Sequence, residues 1–177
     1  MSLLRRRALM VQAAAPVAEK LFVGASYGGR STRGSITQYG DGAFRIVSTG
    51  AANWSLYQNP YGDASLFKTF DDIKGHTILF TIEITNLTLV TGASFSLSYA
   101  LTGNTSSNFS RTRYSDISDL NLGTNEFRVV IPTALDGWES GSGGSDSDRF
   151  TYRFYLNSAS GSDITVNKFE AFDLGII

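Results

Sequence analysis

The strongest constraint on this chain is a period of two. Ile78-Leu79-Phe80-Thr81-Ile82-Glu83-Ile84-Thr85 and Phe95-Ser96-Leu97-Ser98-Tyr99 alternate apolar and polar residues, as do Phe127-Arg128-Val129-Val130-Ile131 and Phe150-Thr151-Tyr152-Arg153-Phe154-Tyr155-Leu156. Successive side chains of a strand point to opposite faces, so each segment offers one face to a core and one to water. Several such segments separated by turn residues predict antiparallel sheets packed face to face, an all-β sandwich. Further strands are expected at residues 20–23, 35–39, 43–47, 54–57 and 164–174, and residues 104–121 read as a loop with at most one strand at 109–114. The last of these changes phase near Lys168-Phe169, which predicts a β-bulge. Gly40-Asp41-Gly42 reads as a hairpin turn and Lys74-Gly75 as the turn into the longest strand. Gly24 to Arg30 reads as an inter-strand loop, since it lacks the Gly-Lys-Ser/Thr ending of a phosphate loop.

Composition narrows the classes. The chain has 177 residues, enough for one domain with a substantial core. Charged residues make up only 18%, so Ser, Thr, Asn and Gly supply the polar surface. The net charge of -1 gives no field for nucleic acid, and Arg111 and Arg113 form no wider basic face. No apolar run approaches the ~20 residues that span a bilayer, so no membrane partner is expected. The absence of Cys excludes disulfides and thiolate metal sites.

Residues 1–18 differ from the rest and are read as a docking arm, with the sandwich domain at 19–177. Leu3, Leu4, Arg5, Arg6, Arg7, Leu9 and Met10 mix cationic and apolar side chains ahead of Pro16, which stops any helix. A secretory signal is the alternative, although its apolar run is short and broken by Gln12.

Four aromatics are candidates for stacking on the C–H face of a sugar ring. Trp138 leads, because it lies in the polar stretch Asp136-Gly137-Trp138-Glu139 with nothing local that demands burial. Trp54, Tyr57 and Tyr61 follow, with core packing the competing role for Trp54. His76, the single histidine, has no nucleophile motif beside it and reads as structural. Glu83 and Glu126 are the carboxylates to test if the chain were a glycan-active enzyme, which needs a pair about 5–10 Å apart in a cleft.

The order of these pieces resembles the jelly-roll fold of carbohydrate-binding modules and of related bacteriophage virion proteins. The resemblance is carried by Leu21-Phe22-Val23 followed by glycines, by Phe44-Arg45-Ile46-Val47 leading to Trp54, by Ile73-Lys74-Gly75-His76-Thr77-Ile78 entering a long strand, and by the closing Ile164-Thr165-Val166-Asn167-Lys168-Phe169-Glu170. Ser2 to Met10 is also similar to the starts of small virion proteins of phages. The resemblance implies a two-sheet jelly roll and a non-enzymatic virion structural protein, a head decoration, fibre or tail appendage. Its arm would dock on capsid, portal or tail components and on copies of itself, and the domain would bind host-surface glycans. It implies no cofactor other than a structural calcium ion, for which Glu19 near the first strand and Glu170 or Asp173 near the last are the ligands expected to meet across the sheet. A secreted bacterial carbohydrate-binding module and, behind it, a glycan-active enzyme are the alternatives.

Overall fold

In a computed structural model, the structure describes residues 17–21, 27–31, 34–40, 42–49, 52–58, 68–102, 109–116, 120–138, 145, 147–158 and 160–177. Eleven strands run through them: β1 Glu19–Lys20, β2 Tyr27–Ser31, β3 Gly34–Gly40, β4 Ala43–Ser48, β5 Ala52–Gln58, β6 Thr77–Thr88, β7 Ser94–Thr102, β8 Phe109–Asp116, β9 Gly123–Val130, β10 Arg149–Ser158 and β11 Asp163–Asp173. Among the described residues one short helix, α1 Phe70–Ile73, and one 3-10 turn, Leu135–Gly137, accompany them.

The strands form two antiparallel sheets. One has the order β3-β4-β11-β6-β9, with β1 also pairing with β11, and the other has the order β2-β5-β10-β7-β8. Within each sheet the joining strand is a late one: β11 links the β3–β4 pair to the β6–β9 pair, and β10 links β2–β5 to β7–β8. The expected two-layer, all-β architecture is therefore the observed one.

The core lies where the alternation puts it. On β6, Ile78, Phe80, Ile82 and Ile84 are buried, and on β10, Phe150, Tyr152, Phe154 and Leu156 are buried. The two layers meet through rings set edge to face: Tyr152 to Phe169 at 4.8 Å and Phe80 to Tyr152 at 5.2 Å between centroids, with Phe44 tilted against Phe154 at 5.8 Å. Such pairs add about 0.5–1.5 kcal/mol each to the burial of their apolar area.

The bulge in β11 is present. Register shifts fall between Thr165 and Val166 and between Val166 and Lys168. Burial consequently passes from Ile164 and Val166 to Phe169 and Ala171, with Asn167 and Lys168 both exposed between them. One extra residue keeps both halves of the strand facing the core.

Two local features seat the end of the sheet. Thr69 caps α1 by a reciprocal box: its Oγ1 accepts from the Asp72 N–H at 3.3 Å, and an Asp72 carboxylate oxygen accepts from the Thr69 N–H at 2.8 Å. Gly75 then turns the chain into β6 at φ 77°, a left-handed conformation that only glycine adopts without strain.

The segment read as a loop at Gly24 to Arg30 is corrected in its second half. Tyr27–Ser31 is an edge strand, pairing with β5 from Tyr27↔Gln58 to Ser31↔Trp54. Its two central glycines hide it from propensity, and the ladder supplied by β5 overrides that preference.

Candidate functional site

The sequence-predicted residues scatter. Trp138 does not stand out of its loop: it is buried, 7% exposed, and meets Phe70 edge to face at 6.0 Å. The polar residues around it concealed a hydrophobic anchor that closes the core beside α1, so the expected stacking platform at Trp138 is corrected to a core position. Trp54 and Tyr57 lie on β5, and Tyr61 lies outside the described residues, as do Leu3, Leu4, Arg5, Arg6, Arg7, Leu9 and Met10 of the arm.

Glu19 stands opposite Asp173 in the β1–β11 register, as expected, but no third carboxylate joins them, so the expected calcium site is corrected. Glu170 pairs with Lys20, Glu19 takes Lys68 Nζ at 2.9 Å, and Asp173 accepts from His76. Glu170 and Asp173 stand three residues apart on β11, in opposite phases of the strand, and so on opposite faces of the sheet. Among the described residues no group of three or more His, Asp or Glu side chains is placed to hold a metal ion.

His76 has a structural partner. Its Nδ1 lies 3.0 Å from both carboxylate oxygens of Asp173, and Asp173 Oδ1 also accepts the Gly175 N–H at 2.8 Å. This clamp ties the entry to β6 to the end of β11. Glu83 and Glu126 stand on the outer face of the six-stranded sheet, out of phase with buried Ile82, Ile84, Asn125 and Val129. An open sheet face is not the cleft that a glycosidase carboxylate pair requires.

Electrostatic perturbation lies elsewhere. The Asp163 carboxyl is held below its ordinary value mainly by hydrogen bonds from Arg45, whose Nε and Nη2 reach its two oxygens at 2.9 and 2.6 Å. Asp72 is held down by the backbone N–H and then the hydroxyl of Thr69. Both are structural groups on strand or helix ends.

The five-stranded sheet offers a different arrangement. Cross-strand register defines rows, and buried Phe154 and Leu156 mark the rows that face the core. The row of Leu156 contains Trp54 and Phe95, and that of Phe154 contains Leu56, Leu97 and Ser115. The alternate rows belong to the opposite face by backbone phase alone. One holds Gly28, Tyr57, Arg153, Ser98 and Tyr114. The next holds Arg30, Ser55, Tyr155, Ser96 and Asp116, and beyond it come Asn53, Asn157 and Ser94. Thr151, in the same phase, is fully buried, so the face is covered at that end.

Of this set, sequence reading singled out only Tyr57. Tyr155 and Tyr114 were missed, yet Tyr155 carries a legible signal: it is an aromatic in the polar phase of Phe150-Thr151-Tyr152-Arg153-Phe154-Tyr155-Leu156.

Comparison with known proteins places the fold. The chain has the β-sandwich, jelly-roll architecture of carbohydrate-binding modules. It aligns with a family 11 carbohydrate-binding module from Clostridium thermocellum, solved with a β-1,3-1,4-mixed-linked tetrasaccharide, at 14% identity and a TM-score of 0.54, covering 89% of this chain and 96% of that one. It aligns with a xylan-binding module at 13% identity and a TM-score of 0.53, covering 89% and 96% respectively. A structure of carbohydrate-binding modules from the β-sandwich superfamily, described for promiscuous specificity, matches at 13% identity and a TM-score of 0.53 over 90% of this chain. The chain spans 63% of the length of that last structure. No family model matches the sequence, and no curated protein matches it. Among the described residues no helix is long and apolar enough to cross a membrane.

Proposed function

We propose that the chain is a non-catalytic glycan-binding module whose ligand lies on the outer face of the five-stranded sheet. The observation that carries this reading is the register of Tyr57, Tyr155 and Tyr114, which sit in the rows alternate to buried Phe154 and Leu156 among Ser and Asn. Tyrosine combines an apolar ring, suited to the C–H face of a pyranose, with a hydroxyl that bonds in water. Hydroxyl and amide groups in the same rows match sugar hydroxyls, and a preformed sheet spends little ordering entropy on binding. Mixed-linked β-glucan and xylan are the first ligands to offer, since two modules of similar fold were solved in their context.

Affinity electrophoresis against these glycans tests the reading. Tyr155→Ala and Tyr57→Ala are expected to weaken retardation at least tenfold while the melting temperature is kept. Unchanged retardation in both variants, or no binding across a broad glycan array, overturns it.

A narrower form sets the module on a virion, docked through residues 1–18 on capsid, portal or tail proteins and on copies of itself. What favours it is the Arg5-Arg6-Arg7 cluster among Leu3, Leu4, Leu9 and Met10. Deleting residues 2–15 should then abolish particle incorporation and leave the melt unchanged. A secreted module would instead yield an exported product cleaved near Ala18, visible by intact mass.

A further inference from the structure

Charge is distributed unevenly over the proposed binding face. Along β2, β5, β10 and β7, the residues in the uncovered outward rows include Arg30 and Arg153 and no carboxylate. The one carboxylate in those rows is Asp116, on edge strand β8. It shares a row with Arg30 but stands four strand spacings away, about 19 Å. This is the reverse of the chain as a whole, whose net charge is -1.

The arginines also share rows with the tyrosines. Arg153 occupies the row of Tyr57 and Tyr114, and Arg30 occupies the row of Tyr155. Each tyrosine row thus holds one arginine position, and the two positions lie on strands two spacings apart, about 10 Å. A planar guanidinium meets a carboxylate or sulfate with two parallel hydrogen bonds, which a neutral sugar cannot reciprocate.

Resting on the glycan-binding reading above, we infer that the ligand is an anionic glycan, one whose sugar units carry carboxylate or sulfate groups spaced to meet Arg30 and Arg153. A tyrosine takes the ring and the arginine of its row takes the charge.

The test compares polygalacturonate (carboxylate), carrageenan (sulfate) and neutral xylan by affinity electrophoresis and titration calorimetry, using the full chain. At least one anionic glycan should bind tenfold or more tightly than xylan, and the preferred one identifies the charged group. Arg153→Gln and Arg30→Gln should each lower that affinity at least tenfold with an unchanged melt, and Arg153→Lys should fall between. Tyr155→Ala should lower it as well. Equal affinity for xylan, insensitive to both Gln variants but lost in Tyr155→Ala, overturns the charge assignment and leaves the glycan site standing. Anion binding that survives Tyr155→Ala is simple polyanion adhesion and also overturns it. Failure to bind any of the three glycans removes the site and the inference together.

Discussion

At the scale of single residues, Trp138 and Thr69 do more than their surroundings announce. Trp138 packs edge to face on Phe70 at the start of α1, so its removal would leave a cavity there. Trp138→Ala is expected to cost about 3–5 kcal/mol, read as a fall in the urea midpoint, while glycan binding by the residual folded fraction stays intact. Thr69→Ala removes one half of the capping box and should cost about 1 kcal/mol by the same measurement. The box also sets a pH dependence. Because Asp72 is held below its ordinary value, it stabilises the fold fully above the unfolded carboxyl value of about 4 and loses that contribution as the pH falls through its lower, folded value. The stability difference between the wild type and Asp72→Asn should therefore be constant at neutral pH and close on acidification below about pH 4. A gap that persists at pH 2 would contradict the assignment.

At the scale of elements, legibility follows the strength of alternation. β6 and β10 could be read from their period because both are central, with one face fully in the core. The bulge in β11 was readable because a phase change in burial has no other cheap explanation. β2 was not readable: Gly28 and Gly29 carry no pattern, and only its pairing with β5 makes it a strand. Trp138 was misjudged for a related reason, since local polarity says nothing about a side chain that reaches the core over Phe70. The meeting of Glu19 with Asp173 across β1 and β11 was legible, but a spacing of three along β11 puts Glu170 on the opposite face, so no third carboxylate completes a calcium site. The turn between α1 and β6 gives an element-scale prediction. A Cβ on Gly75 would stand 3.3 Å from Thr133 Cγ2, and the backbone there has φ 77°. Gly75→Ala should cost about 1–2 kcal/mol, detectable as faster unfolding in denaturant.

At the scale of the molecule, the two sheets divide the work. The six-stranded layer carries the clamp between His76 and Asp173 and the paired charges Arg45–Asp163 and Lys20–Glu170, which hold strands to one another. The five-stranded layer leaves tyrosine, arginine and hydroxyl rows on its outer face. One core serves both, so the face proposed to meet sugar is backed by buried Phe154 and Leu156 and has little freedom to deform. Substitutions at Arg153 and Tyr155 of β10 should therefore alter ligand affinity without altering the melt, whereas Phe154→Ala should cost about 3–5 kcal/mol and abolish both.

The position of β10 and β11 also governs when the molecule can come into being. Until residues 149–173 have left the ribosome, the earlier strands have only hairpins and isolated ribbons to offer, each with bare edges and half a core. Synthesis thus delivers the two keystones last, and a nascent chain stalled before them would be a sticky intermediate in need of a chaperone rather than a smaller version of the finished domain.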